Sequence, residues 1–295
     1  MSDAAAPAAG RAAAAFAALV GAAMAMGLSP VFVRLADVGP FASAFWRVAL
    51  ALPALYAWMR LVEPAPARRF GLPTLLAGLA FTGDLIFWHA SILRTSVANA
   101  TFFATTAPIW VVAFGWLLFG LRAGRGVLAG LALCLLGGAA LLGQTLRLAP
   151  DHALGDAFGL ATGVFFGLYF LAVEAARRRV SAARVTFEAS LVTAACLLAV
   201  AVATEPVLWP RSYAGFATLL AMAWISHAGG QGLLSVALGR LPATFSSLVI
   251  FLEAMAAAGF AWLLLGEPLT AAQAAGGLLI MAGIFVARPR GAAPV

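Results

Sequence analysis

Long apolar runs separated by short breaks dominate the pattern of this chain. A helix needs about 20 apolar residues to cross the hydrocarbon core of a bilayer, and about ten runs of that length are present. The runs are continuous and rich in Ala, Leu and Gly, whereas the strands of a membrane barrel alternate polar and apolar residues. The pattern therefore predicts an all-α integral membrane protein with ten transmembrane helices. They are residues 12–34, 41–60, 71–93, 97–119, 126–146, 154–176, 186–203, 213–236, 243–265 and 271–288.

Arginines are distributed unequally between the two sets of breaks. If the N-terminus lies inside, thirteen arginines fall on the inner side and four on the outer side. Cytoplasmic loops of membrane proteins carry an excess of basic residues. The bias therefore predicts that both termini lie in the cytoplasm. We expect a multi-pass protein of the bacterial inner membrane. The inner arginines are Arg11, Arg60, Arg68, Arg69, Arg122, Arg125, Arg177, Arg178, Arg179, Arg184, Arg240, Arg288 and Arg290, and the outer ones are Arg34, Arg94, Arg147 and Arg211.

Composition excludes several classes of function. Hydrophobic residues make up 64% of the chain and charged residues only 10%, compared with roughly 25% charged residues in soluble domains. The net charge of +7 comes from arginines in the breaks, so no nucleic-acid partner is predicted. The absence of lysine excludes a Walker A loop and a retinal Schiff base. Cys134 and Cys196 lie singly in apolar runs, so neither a disulfide, a metal site nor a cofactor is predicted.

The two halves of the sequence repeat each other. An offset of 146 residues aligns 114–120 with 260–266 and pairs Trp116 with Trp262. Each half has five predicted helices, an odd number, so the second half must enter the membrane upside down. Inverted repeats are typical of secondary transporters, whose sites lie between the repeats near the middle of the membrane. The predicted repeats are 1–150 and 151–295, and the same offset superposes Gly130 on Gly276 and Gly137 on Gly283.

Short motifs in both halves resemble a known family. They are Ser29-Pro30, Ala44-Phe45-Trp46-Arg47, Ala90-Ser91-Ile92, Ala98-Asn99-Ala100 and Leu265-Gly266-Glu267-Pro268-Leu269-Thr270. In these motifs the chain resembles the drug/metabolite transporter superfamily, specifically proteins with two EamA-type repeats. Within it, the chain is similar to amino-acid and metabolite exporters, including the YddG-type aromatic amino-acid exporters. The resemblance implies export of a small solute from the cytoplasm.

The most specific of these motifs also has a local structural interpretation. Thr270 and Gln273 have the spacing of a capping box at the start of the last helix, and Glu267 would favour its positive end. The first half departs from the motif, because Leu121-Arg122 stand where the second half has Glu267-Pro268. We therefore interpret Glu267 first as a structural residue.

Ionisable groups in the middle of a membrane helix are costly and are candidates for function. Asp84 lies near the middle of the third helix, with Phe81 and Trp88 one turn away on the same face. The functional interpretation is an anionic group beside an aromatic wall, suited to an ammonium group or a proton. The structural alternative is an aspartate that accepts hydrogen bonds from serine or backbone donors.

Two further charged residues interrupt apolar helices. Glu253 lies in the ninth helix on a face with Ser246, and it either binds a cation, shuttles a proton or pairs with Arg47. Arg47 interrupts the second helix and needs an acidic or carbonyl partner. We predict a structural ion pair for Arg47.

Two helices carry stripes of polar and aromatic residues at helical spacing. In the eighth helix, His227 titrates near neutrality unless perturbed, so it is a candidate for proton coupling or a hydrogen-bonded packing residue. In the fourth helix, Pro108 removes a backbone hydrogen bond and is a candidate gate hinge or a static bend. The stripes are Trp224, His227 and Gln231 in the eighth helix, and Asn99, Phe103, Thr106 and Trp110 in the fourth.

These observations together predict a secondary active transporter that moves a small organic solute by alternating access. Its expected substrates are amino acids, aromatic or otherwise apolar, or related metabolites, with protons as a candidate coupling ion. Alternatives are a multidrug or other metabolite exporter, or a passive channel; an enzyme is not expected, because HExxH and Gly-x-Ser-x-Gly motifs are absent. Both a monomer and a homodimer remain compatible with the sequence. The predicted substrate-binding residues are Asp84, Trp88, Asn99, Phe103, Thr106, Trp110, Trp224, His227, Gln231, Ser246 and Glu253.

Overall fold

The computed structural model describes residues 5–64, 70–95, 97–142, 150–265 and 270–289, and within these ranges every predicted apolar run is mainly helical. No strand occurs within these ranges, so the all-α class is confirmed there. The helices are α1 (Ala5–Met26), α2 (Ser29–Leu35), α3 (Pro40–Ala49), α4 (Leu52–Val62), α5 (Leu72–Ile92), α6 (Val97–Ala104), α7 (Ala107–Phe119), α8 (Arg125–Leu142), α9 (Ala153–Arg177), α10 (Ala182–Thr204), α11 (Tyr213–Ala221), a π-helical segment (Met222–Gln231), α12 (Gly232–Leu238), α13 (Ala243–Val249), α14 (Phe251–Leu265) and α15 (Ala271–Ala287).

Within the described ranges, eight helical stretches are long and apolar enough to cross a membrane. The shorter apolar helix α15 and the stretch from α11 to α12, which contains the π-helical segment, do not meet that standard. The chain is therefore a multi-pass membrane protein, and the count of ten crossings stays a prediction. The eight stretches are Gly10–Leu35, Pro40–Val62, Leu72–Ile92, Asn99–Phe119, Arg125–Leu142, Ala153–Arg177, Ala182–Thr204 and Ala243–Phe260.

Several of the long helices are interrupted near their middle. Pro30 lies in the first turn of α2 and Pro108 in the first turn of α7, where a proline is tolerated because its missing N–H would lack an intrahelical partner. The fourth and ninth predicted helices break at corresponding places, because α6 ends at Ala104 and α13 ends at Val249. Interruptions at matching positions of two halves are typical of transporter binding sites.

Helices α8 and α15 form the most extensive helix pair, along a seam of glycines. A Cβ on Gly130 would lie 2.5 Å from the Gly283 carbonyl oxygen, and a Cβ on Gly276 would lie 2.6 Å from the Gly137 carbonyl oxygen. The contacts are reciprocal: Gly130 and Gly276 are equivalent in the repeat, as are Gly137 and Gly283. Two elements related by a two-fold rotation make this pattern of contacts.

This seam leaves no room for a side chain. Gly276→Ala is expected to destabilise the protein by about 1–3 kcal/mol, because the new Cβ would meet backbone atoms of α8 that cannot move aside. Gly115→Ala in α7 is the matched control: no atom lies within 4 Å of its added Cβ, and alanine is favoured over glycine in a helix by about 0.5–1 kcal/mol. Thermal unfolding in detergent measures both, and equal midpoints would contradict the close packing of α8 and α15.

The two halves of the chain interleave around the centre of the bundle. Helix α5 packs along α9 and α10, and correspondingly α1 packs along the π-helical segment and α12. Because each of these pairs joins one half to the other, the buried core is shared between the halves. The buried polar side chains Arg47, Asp84 and Gln231 lie in this shared core.

Candidate functional site

A buried cavity lies where the helix breaks meet. Its volume is about 60 Å³, enough for a few water molecules and less than the roughly 300–1,000 Å³ of a typical small-molecule pocket. The cavity is therefore too small to hold a small-molecule solute in this conformation. The lining residues come from both halves: Met26, Ser29, Pro30, Arg47, Phe81, Asp84, Leu85, Trp88, Thr101, Ala104, Thr105, Ala107, Pro108, Thr162, Phe166, Gln231, Ser247, Ile250, Phe251 and Glu253.

Three charged residues from three different helices face this cavity. Arg47 and Asp84 are buried, with 6% and 8% of their surface exposed, and Glu253 is half-buried. Arg47 lies within electrostatic range of both carboxylates. Within the described ranges, however, no ion pair of 4.0 Å or less joins Arg47 to an acid, and its Nε has no hydrogen-bond partner. The structural ion pair predicted for Arg47 is therefore not formed with either acid here, and the three charged groups instead line one cavity.

Three buried polar atoms without partners belong to residues that line this cavity. Among the described residues, Ser29 Oγ, Arg47 Nε and Gln231 Oε1 lack a hydrogen-bond partner, and all three residues line the cavity. The amide nitrogen of Gln231 is used by a weak contact of 3.2 Å to the sulfur of Met26. Most buried polar atoms in proteins are hydrogen-bonded, so these three are available to a polar solute.

The face of α5 that the sequence predicts does line the cavity. Asp84, Trp88 and Phe81 all contribute to the wall, and Trp88 is 8% exposed. Helix α5 is uninterrupted over this stretch, so the spacing of an α-helix brings the three residues together. The carboxylate therefore lies beside aromatic surface.

His227 lies one layer behind the cavity wall. Its ring stacks on Phe81 with centroids 5.4 Å apart, and its Nε2 is 2.8 Å from the Ser190 hydroxyl oxygen. Trp224 is 55% exposed and donates from Nε1 to the Leu50 carbonyl oxygen at 3.2 Å. Only Gln231 of the predicted stripe reaches the cavity. The segment is π-helical, with wider turns, so residues three and seven apart do not share one face as they would in an α-helix.

Asn99 makes a polar contact away from the cavity. Its amide nitrogen donates to Asp156 Oδ1 at 2.9 Å, and the Thr95 hydroxyl donates to the same oxygen at 2.8 Å. Asp156 lies in the first turn of α9. The contact therefore fastens the start of α9 to the segment around α6.

The rest of the predicted stripe in the fourth helix packs against α9. The facing residues of α9 are glycines, which leave room for the side chains of Phe103, Thr106 and Trp110. Thr106 also donates to the Phe103 carbonyl oxygen at 2.6 Å. The stripe thus forms a helix interface, and none of its three members lines the cavity. The facing glycines are Gly159, Gly163 and Gly167.

The ninth predicted helix presents a different serine from the expected one. Ser247 lines the cavity, whereas Ser246 is buried beside it without a hydrogen-bond partner among the described residues. The helix breaks at Ile250, between α13 and α14, so Ser246 and Glu253 do not belong to one continuous helical face. Ser29 and Thr105 also line the cavity, although the sequence did not indicate them as site residues. The signal that could have found them is the proline that follows each at a helix break, Pro30 and Pro108.

Comparison with models of known protein families identifies the family of this chain. The model of the EamA-like transporter family matches residues 13–143 and again residues 153–288. The chain belongs to the EamA-like transporter family. The two matches correspond to the two halves that contribute to the cavity.

Relatives of this EamA transporter carry transporter names. It is 28% identical over 279 residues to an uncharacterized transporter of Archaeoglobus fulgidus, covering 92% of this chain and 95% of the relative. It is also 28% identical over 243 residues to the pseudopaline exporter CntI of Pseudomonas aeruginosa, covering 80% of this chain and 82% of the relative. A protein known from a crystal structure shares its fold, with a TM-score of 0.82, 20% identity and coverage of 94% and 98% of the two chains.

In this EamA transporter, two glutamates that each follow a helix of one half cap the start of a helix in the other half. Glu205, after α10, accepts hydrogen bonds from the backbone N–H groups of Phe41 at 2.6 Å and Ala42 at 3.1 Å, at the start of α3. A Cβ on Gly39 would overlap the Glu205 carboxylate, so a larger residue there would push that carboxylate aside. We call this contact the Glu205 clasp; it joins the two halves.

Glu63, after α4, makes the reciprocal contact at the start of α10. It accepts a hydrogen bond from the Ser181 backbone N–H at 3.0 Å and lies 3.7 Å from an Arg184 nitrogen. Arg184 in turn donates to Glu188 at 2.8 Å. Partial burial alone would raise the pKa of Glu63, but the hydrogen bonds from Ser181 and the charge of Arg184 outweigh burial and lower that pKa. We call this contact the Glu63 clasp.

Proposed function

We propose that this EamA transporter is a secondary active exporter of amino acids, aromatic or otherwise apolar, or of related small metabolites. The observation that carries the proposal is a cavity lined by both halves, in which one guanidinium and two carboxylates lie beside aromatic side chains. Small-molecule sites typically combine apolar walls with a few polar groups that fix orientation. A solute with a positive group, a negative group and an apolar side chain suits this combination.

The proposed binding mode uses each cavity group for one part of the solute. Arg47 would pair with the carboxylate, because a guanidinium matches the two oxygens of a carboxylate in a planar fork. Asp84 and Glu253 would accept hydrogen bonds from the ammonium group. Phe81 and Trp88 would contact the apolar side chain. Asp84 and Glu253 are also the candidates for carrying a coupling proton.

Alternating access by two inverted five-helix repeats is the proposed mechanism. The reciprocal contacts of α8 with α15, and of the two glutamate clasps, support a pseudo-two-fold relation between oppositely inserted halves. Rocking of the halves would then open the cavity to one side at a time, and ten crossings follow from five helices in each half. The exporter name of one relative supports export from the cytoplasm.

Counterflow in proteoliposomes tests the proposal. Vesicles loaded with unlabelled phenylalanine should accumulate labelled phenylalanine above the outside concentration, because a carrier exchanges one molecule for another. A passive channel would let the label only equilibrate, and an enzyme would change the label chemically. The reconstituted protein is first shown to bind apolar amino acids in a separate assay. If such protein exchanges none of them, transport of this substrate class is refuted.

Export of cationic compounds is the second candidate function. When both carboxylates are ionised, two negative groups face one guanidinium in the cavity, which favours a cation without a carboxylate. Phenylalanine amide, which lacks the carboxylate, separates the two candidates. We expect it to compete about tenfold less well than phenylalanine in the wild type, since one charge-assisted contact to Arg47 is lost. In Arg47→Gln the two compounds should compete about equally.

A further inference from the structure

A long apolar groove runs along the outside of the bundle between α1, α14 and α15. Its volume is about 1280 Å³, far larger than that of the central cavity. Most of its lining side chains are aliphatic, aromatic or methionine. We call it the α1–α14 groove, and its lining is Ala12, Ala13, Phe16, Val20, Met24, Arg240, Leu241, Pro242, Phe245, Leu252, Met255, Ala256, Gly259, Phe260, Leu263, Met281, Ile284, Phe285, Arg288 and Pro289.

The groove has the length of a lipid acyl chain. On α1 its lining extends from Ala12 to Met24, about 18 Å at 1.5 Å per residue, compared with about 15 Å for one leaflet of the hydrocarbon core. Phe16, Met24 and Leu263 are exposed along it. In a bilayer this surface faces hydrocarbon, so an extended acyl chain would fill it without exposing apolar surface to water.

One end of the groove is positively charged. Arg240 and Arg288 are both exposed there. The guanidinium of Arg288 lies over the Phe285 ring, 4.0 Å from its centroid, and Arg240 lies within electrostatic range of Arg177. Neither Arg240 nor Arg288 is ion-paired to a carboxylate within the described parts of the chain, and the groove lining contains no acidic residue. The charged end therefore lacks a counter-ion among these residues.

We propose that the α1–α14 groove binds an anionic phospholipid of the cytoplasmic leaflet. Its phosphate would lie between the guanidinium groups of Arg240 and Arg288, and one acyl chain would follow the apolar wall. Both arginines belong to the set that the arginine bias places on the cytoplasmic side, and basic pockets between helices on that side bind anionic headgroups. A second copy of this chain fits less well, because the groove offers no acid to pair with the arginines of either copy.

Native mass spectrometry of the purified full chain tests this inference with phosphatidylglycerol and phosphatidylcholine of equal chain length. We expect phosphatidylglycerol to be retained and phosphatidylcholine not, and Arg240→Gln/Arg288→Gln to weaken phosphatidylglycerol binding about thirtyfold. Arg122→Gln/Arg125→Gln is the matched control. It removes the same charge from exposed arginines predicted on the same side, outside the groove, and should leave binding unchanged.

A second variant tests the apolar part of the groove separately. No atom lies within 4 Å of a Cβ added to Gly259, so Gly259→Phe should fold, fill the groove and reduce phosphatidylglycerol binding with both arginines in place. Equal retention of the two lipids by the wild type would overturn the proposal. So would equal losses from the two double-arginine variants, or a lipid-free dimer that Gly259→Phe dissociates.

Discussion

Asp84→Asn is expected to reduce phenylalanine counterflow about 100-fold, equivalent to about 3 kcal/mol, while the protein stays folded. Asparagine keeps the shape of aspartate but removes the negative charge that would face the substrate ammonium. Glu253 would then be the only carboxylate left in the cavity to face both the solute ammonium group and Arg47. Initial rates of exchange, measured at equal amounts of reconstituted protein, give the comparison.

Asp156→Asn is the matched control for this substitution. Asp156 is also a buried aspartate, with 8% of its surface exposed, but its Oδ1 accepts hydrogen bonds from Thr95 and Asn99 away from the cavity. We expect this variant to lower the thermal unfolding midpoint and to keep its exchange rate per folded molecule. Asp84→Asn should thus lose transport and keep its fold, whereas Asp156→Asn should lose stability and keep transport. If Asp84→Asn exchanges phenylalanine at the wild-type rate, Asp84 has no part in transport.

The sequence predicts those parts of the site that depend on one uninterrupted helix. Asp84 and Trp88 share the cavity wall because α5 continues without a break, so the spacing of residues along the chain fixes their directions. The capping box of Thr270 and Gln273 is confirmed for the same reason, since all its atoms lie within one turn. Glu267 itself lies outside the described residues. Helix spacing and capping rules are therefore enough to predict contacts that lie within one helix.

The remaining parts depend on departures from regular helix and on the facing partner. Trp224 turns away from the cavity because its segment is π-helical, and Ser246 is displaced by the break at Ile250. Trp110 packs on α9 because glycines there accept it, which the sequence of its own helix cannot indicate. The pairing of Glu63 with the start of α10 likewise requires the arrangement of the two halves in space.

The two glutamate clasps should bias the transporter in opposite directions. Glu63→Gln weakens the clasp at one end of the bundle and should favour the conformation that opens the cavity there, on the side of the inner arginines. Glu205→Gln should favour opening at the other end. Replacing a charged acceptor by a neutral one changes the hydrogen-bond free energy by about 1 kcal/mol, so each population should shift about fivefold.

Thiol labelling measures these populations. Thr105→Cys, in a background without Cys134 and Cys196, places a thiol on the cavity wall. An impermeant maleimide added to oriented vesicles should label it about five times faster from the opened side in each single variant. Glu63→Gln/Glu205→Gln is the internal control, because weakening both clasps should return the ratio of the two rates to that of the wild type. Identical ratios in both single variants would show that the clasps do not control access.

Acid should reproduce the effect of Glu63→Gln in the wild type. Because the clasp lowers the pKa of Glu63, it favours the closed end at pH values above the ordinary glutamate pKa of about 4.3. That stabilisation is lost as the pH falls through the lowered pKa and the carboxylate takes up a proton. Acid also protonates thiols and slows their reaction with maleimide, so the labelling rate is divided by that of a freely exposed thiol at the same pH. This normalised rate from the Glu63 side should rise in the wild type as that compartment is acidified below about pH 4.3. It should not accelerate further in Glu63→Gln, in which position 63 cannot titrate; equal acid responses in both proteins would assign the effect to another group.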